Sequence, residues 1–199
     1  STRIVAVGGG GAMQNKMLPN QPYFDASPKP EGAVHDMAFN GDFGLAVGDD
    51  GLMIFWSSEG YGALDAGTDV DLHGAYVNDD GTVLAVGDNG TLIRRPLGGA
   101  TQNIETSTDV DLYAVHQLDD GQILCLGASG TVIRIASDLV TTVAENTPDP
   151  RKILDVFENG DGLMAVGAGG AILKRNGEVW ESIVSGTTVD LFAASYGGG

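Results

Sequence analysis

Val83-Leu84-Ala85-Val86-Gly87-Asp88-Asn89-Gly90-Thr91-Leu92-Ile93-Arg94 reads as a strand, a tight turn and a second strand. The two apolar runs are too short for amphipathic helices. Gly, Asp and Asn between them tolerate the positive φ a tight turn needs. The same phrase occurs four more times, at Ile4–Gly8, Gly44–Gly48, Ile123–Gly127 and Leu163–Gly167. Each of these glycines is followed three positions later by another: Gly11, Gly51, Gly90, Gly130 and Gly170. Successive first glycines lie 40, 39, 40 and 40 residues apart. One G-x-x-G means little, but five at a common period define an internal repeat.

Each copy is preceded by another strand ending in a polar turn, such as Asp71 to Val77 before Asn78-Asp79-Asp80-Gly81. A less regular strand follows, as in Ala100 to Glu105 or Glu178 to Val184. Four short strands in about 40 residues are the size of one propeller blade. The sequence therefore predicts an all-β chain: a single five-bladed β-propeller with four antiparallel strands per blade. Its glycine content, 31 of 199 residues, agrees with many tight turns; ordinary usage is about 7%. The last stretch, Val189 to Tyr196, resembles a first strand such as Val70 to Tyr76, and the chain starts on a second strand, Arg3 to Gly8. The expectation is a ring closed by pairing the N- and C-terminal strands in one blade, leaving no open sheet edge there. The blades are then about 190–199 plus 1–33, 34–70, 71–110, 111–152 and 153–189.

The segment Ala85-Val86-Gly87-Asp88-Asn89-Gly90-Thr91-Leu92-Ile93-Arg94 resembles the repeats of photosystem II assembly-factor-like and sialidase-type (Asp-box) propellers, at the level of a superfamily. The resemblance covers essentially the whole chain and implies the propeller fold. The Ser-x-Asp-x-Gly-x-Thr-Trp box of those relatives is not intact at Ser57–Gly62, Pro96–Gln102 or Arg175–Trp180. The basic patch expected of the photosystem factors is also at odds with this chain's charge. One fold hosts many functions, so the resemblance carries the fold and not the job.

With 10 basic and 27 acidic residues the net charge is −17. That argues against nucleic acid and anionic membrane as partners, since both need a basic surface. No apolar run reaches the length of a membrane span. The apolar start Ile4 to Met13 belongs to the repeat and is not a signal peptide. The expected location is the cytoplasm or a particle. The single cysteine, Cys125, occupies the column of Ala6, Ala46, Ala85 and Ala165, where a small buried residue is needed.

Candidate functional residues are few. No G-x-S-x-G elbow or phosphate loop is present. His35, His73 and His116 fall in different columns of the first strand when the repeats are aligned, at no metal-ligand spacing, and read as individual strand residues. Asp71, Asp111 and Asp190 open the first strand of three blades. A ring of such carboxylates would bind a hard cation such as Ca²⁺; the competing reading is that Asp bonds nearby backbone N–H groups. Arg94, Arg134 and Lys174 share one position on the third strand, with Asn15 and Phe55 in the other blades. They anchor an acidic partner or pair with neighbouring acids. Between Gln14 and Glu31 lie four prolines with Tyr23 and Phe24, an irregular protrusion suited to a specific contact. Trp56, Tyr61, Tyr76 and Trp180 share no column, which disfavours a repeated sugar pocket.

The reading is a chain that is not an enzyme: an interaction or structural module that binds a protein partner or forms a subunit of a larger assembly, such as a virion decoration protein. Tyr23, Phe24, Arg94, Arg134 and Lys174 are its partner-binding candidates, and no cofactor is expected beyond Ca²⁺ at the acidic column. The alternatives are a carbohydrate-binding, lectin-like propeller and, behind it, a glycosidase.

Overall fold

A computed structural model describes residues 3–8, 12–17, 24–25, 32–159 and 162–195, the first three segments as backbone only. The described residues form five antiparallel sheets, each a meander in chain order. The first has three strands: β1 (Arg3–Gly8), β2 (Ala12–Met17) and β3 (Phe24–Asp25). The second has β4 (Val34–Asn40), β5 (Phe43–Gly48), β6 (Met53–Ser57) and β7 (Gly60–Ala63). The third has β8 (Leu72–Val77), β9 (Val83–Gly87), β10 (Leu92–Arg95) and β11 (Gln102–Asn103). The fourth has β12 (Leu112–Gln117), β13 (Ile123–Gly127), β14 (Val132–Ile135) and β15 (Thr142–Glu145). The fifth has β16 (Ile153–Asn159), β17 (Gly162–Gly167), β18 (Ala171–Asn176) and β19 (Val179–Ser182). The opening strands β4, β8, β12 and β16 stand side by side. Sheets stacked face to face with their first strands adjacent are the arrangement of a β-propeller.

The two repeated glycines have different reasons. At Gly87 the backbone is extended, and a Cβ would stand 2.2 Å from the Asp71 carbonyl oxygen. The chain passes too close there for any side chain. At Gly90 φ is +68° and a Cβ would stand 1.9 Å from the Thr108 carbonyl oxygen, so both conformation and space demand glycine.

The core lies between sheets and is set by the strand period of two. On β9, Val83 and Ala85 join Leu45, Val47, Met53 and Leu72 between the second and third sheets. The alternate residues Leu84 and Val86 join Leu112, Val115, Ile123 and Cys125 between the third and fourth. A second strand buried on both faces reads as a continuous apolar run, which is what the repeat phrase is. Cys125 is fully buried, and burial pushes its thiol pKa far up, as its small-residue column predicts.

The expected ring of five closed blades is seen in part. Four sheets have four strands, but the first has three among the described residues. Residues 189–195 form no strand, and β1 pairs with β2 alone. No pairing of the terminal strands is seen among the described residues, and the 189–195 segment bonds to the fifth sheet. Leu191 N–H donates to the Gly167 carbonyl at 3.0 Å, and Ala194 N–H to Asp155 Oδ2 at 2.8 Å. No helix among the described residues is long and apolar enough to cross a membrane.

Candidate functional site

The opening strand of each four-stranded sheet carries a bulge near its start. Val34 pairs with Gly48 and Asp36 with Val47, leaving His35 out of the ladder. The same skip leaves out His73, Tyr113 and Leu154. A bulge re-aims its side chain, and adjacent strands bring these residues into a row. The His35 and His73 rings lie 5.2 Å apart at 17°, and His73 and Tyr113 lie 4.9 Å apart at 28°. Lys152 Nζ sits 4.0 Å from the centre of the Tyr113 ring, a cation–π contact.

His35 and His73 therefore occupy one column, contrary to the alignment of the repeats. The hairpin turn ahead of β5 has two residues, Gly41 and Asp42, where that ahead of β9 runs one residue longer between equivalent rungs. That single residue hides the coincidence in the sequence.

Two aspartates from the repeated turns complete the row. Asp49 Oδ1 lies 2.8 Å from His35 Nε2, and Asp88 Oδ1 lies 2.6 Å from His73 Nε2. Asp49 is itself fixed by the Ala33 N–H, which donates to its Oδ2 at 2.6 Å. The inner ring nitrogens face one another: His35 Nδ1 is 3.3 Å from His73 Nδ1 and 3.0 Å from the Leu72 carbonyl oxygen. The imidazoles are only 28% and 19% exposed, yet open to solvent.

The acidic column lies at the same end and is occupied by backbone. Asp71 accepts from Asp50 N–H at 3.0 Å, Asp111 from Asn89 N–H at 3.1 Å, and Asp190 from Gly169 N–H at 2.7 Å. Each carboxylate satisfies a donor of the preceding sheet's turn. Among the described residues no three His, Cys, Asp or Glu side chains gather as a metal cage.

The basic column is aligned by register. Phe55, Arg94, Arg134 and Lys174 pair with Leu45, Leu84, Leu124 and Met164. Their environments differ. Arg94 donates to Gln102 at 3.0 Å and is exposed there. Lys174 lies opposite Glu181 and closes no ion pair among the described residues. Arg134 is turned inward to Glu145 at 3.0 Å and also reaches Gln122 and Glu178. The Glu145 side chain is 3% exposed and accepts from Arg134, from Arg175 through Nε and Nη2 (3.1 and 2.7 Å), and from Trp180 Nε1 at 2.8 Å. Tyr23 lies outside the described residues, and Phe24 pairs through its backbone with Asn15 on β2.

Other titratable groups are built into the sheets. Asp36 and Asp155 are pushed up by burial, and each accepts a backbone N–H from the next segment, Ala75 and Ala194. His116 packs against Tyr76, and its burial holds its pKa down at about 4.

No protein-family model matches the chain, and no curated protein matches it by sequence. Solved structures do match. The structure of streptogramin B lyase aligns with a TM-score of 0.71 and 12% identity, covering 87% of this chain and 62% of that one. The WD40 repeats of RRP9 give 0.69 and 10%, covering 89% and 58%. YCF48 bound to D1 peptide gives 0.63 and 15%, covering 91% and 63%. The chain thus spans about three fifths of the length of each of these proteins. At such identities the likeness carries the fold alone: this chain has a propeller-type β fold.

Proposed function

We propose that the chain is a non-catalytic interaction module, a five-bladed ring that presents the row at His35, His73 and Tyr113 to a protein partner or to a sister subunit of a larger assembly. The observation behind this is one backbone position carrying unlike side chains. The bulge recurs in every four-stranded sheet, but its residue is His, His, Tyr and Leu in turn. Three of these four side chains are rings stacked into one row, a surface suited to a contact. Carboxylates flank the row, which favours a cationic segment of the partner. The YCF48 structure bound to a peptide gives a propeller-type precedent. Arg94 and Lys174, on the third strands, form a second contact region, and Tyr23 and Phe24 a third.

Closure into five blades draws support from the 189–195 segment. Ala194 N–H donates to Asp155 Oδ2 as Ala75 N–H does to Asp36 Oδ2, both at 2.8 Å. The segment thus follows β16 as β8 follows β4, in the place of a further first strand. A lectin-like site is disfavoured because Trp56 and Trp180 are 1% and 3% exposed, with no face for a sugar. The test is the mass of the particle in which the native protein travels, by size-exclusion chromatography with light scattering. A stoichiometric assembly that Tyr113→Ala dissociates is the expected result. A lone chain in native extract overturns the reading.

A further inference from the structure

We propose that His35 and His73 form a binding site for a divalent transition ion of the Zn²⁺ or Cu²⁺ class, held by their Nδ1 atoms with the Leu72 carbonyl as third donor. The argument begins with protons. Asp49 and Asp88 are acceptors, so each claims the Nε2 proton of its histidine. In neutral imidazoles that leaves both Nδ1 atoms bare. Two nitrogen lone pairs then meet at 3.3 Å, with a carbonyl oxygen 3.0 Å from one of them. Three acceptors then converge with no donor among them, and a bound cation or a shared proton relieves that arrangement.

The spacing fits such an ion. On a tetrahedral ion at about 2.0–2.1 Å, two imidazole nitrogens stand about 3.3 Å apart, and the ring centres behind them about 5.2 Å apart when the rings are near one plane. The observed values are 3.3 Å and 5.2 Å, with the rings 17° from parallel. Borderline ions of this class prefer imidazole, whereas Ca²⁺ and Mg²⁺ take oxygen cages. The carboxylates also stand where outer-shell partners of metal-bound histidines belong, on the far ring nitrogen, fixing tautomer and orientation. Stacking of Tyr113 on His73 holds the second ring. Two protein nitrogens and one carbonyl leave a fourth position open to water.

The experiment is Cu²⁺ electron paramagnetic resonance on the full chain, paired with ¹⁵N NMR of the histidine rings during Zn²⁺ titration. The expected spectrum shows two coordinated imidazole nitrogens, falling to one in His73→Gln and in His35→Gln. Zn²⁺ is expected to shift the Nδ1 resonances of His35 and His73 and leave His116 unmoved. Asp49→Asn and Asp88→Asn should each weaken binding about 10–100-fold. The wild-type NMR titration decides the matter even if a variant fails to fold. Unmoved Nδ1 resonances would mean that the pair merely shares a proton, and would overturn the site. Displacement of the ion by excess Ca²⁺ would assign it to surface carboxylates and overturn the site equally.

Discussion

The junction between the second and third sheets and that between the fourth and fifth are the same joint built in two chemistries. In the first, Leu45, Val47, Met53, Leu72 and Val83 pack with no charge among them. In the second, Leu124, Leu126, Ile153 and Leu173 pack beside a buried carboxylate that joins two arginines and a tryptophan. The position of Glu145, opposite Val132, is taken by Leu64 and Ile104 in the earlier sheets, which bond Met53 and Leu92. Leu, Ile and Glu thus occupy one backbone site. The joint is fixed by shape and glycine turns, and either an apolar side chain or a fully satisfied ion group fills it.

That equivalence can be broken most strongly at Glu145. Glu145→Ala leaves the Arg175 guanidinium and the Trp180 N–H buried without their acceptor. A loss of about 3–5 kcal/mol is expected in urea unfolding. The combined variant Glu145→Leu, Arg134→Met, Arg175→Met converts this joint to the chemistry of the other, and should recover most of that loss. On the apolar side, Leu72→Ala leaves a cavity, with an expected cost of about 2–5 kcal/mol by the same measurement. If the triple variant stays as unstable as Glu145→Ala, the two joints are not equivalent.

Acid separates the regions further. The pKa of His116 is lowered to about 4 by burial, below its ordinary 6.5. Between those values the unfolded chain binds a proton that the folded chain does not, so this contribution falls as pH drops from 6.5 to about 4. His116→Asn should flatten the urea midpoint over that window. The smallest effect belongs to Asp36, whose carboxyl is raised by burial. Here the folded state takes the proton first, so its contribution rises as pH falls through that raised value, opposite in sign to His116. Asp36→Asn should remove this opposing slope while keeping an oxygen for the Ala75 N–H.

The architecture was legible because sterics write it into every copy. Gly87 and Gly90 are required by carbonyl oxygens about 2 Å from where a Cβ would be, and no other residue answers. Cys125 was legible for the same reason, as a small residue in a closed column. The row of rings was not. Its alignment passes through a hairpin turn whose length varies by one residue, so counting from the glycine displaced His35 from His73. Glu145 was also hidden, since a glutamate on a weak fourth strand reads as solvated until Arg175 and Trp180 are brought across from the next sheet. Arg134 looked like an anchor for a partner because its acid lies 11 residues away on the neighbouring strand.

The double-sided burial of β9 and β13 has a consequence for how the molecule opens. The third and fourth sheets own no core of their own; each borrows half from the sheet before and half from the sheet after. Stability is then shared between neighbouring sheets, and a sheet packed on both faces is locked by both. Amide hydrogen exchange should be slowest along Leu84–Val86 and Leu124–Leu126. It should quicken towards Ile183 and Val184, whose side chains are 41% and 95% exposed. Loosening would thus begin at the exposed outer strands and reach the buried second strands last.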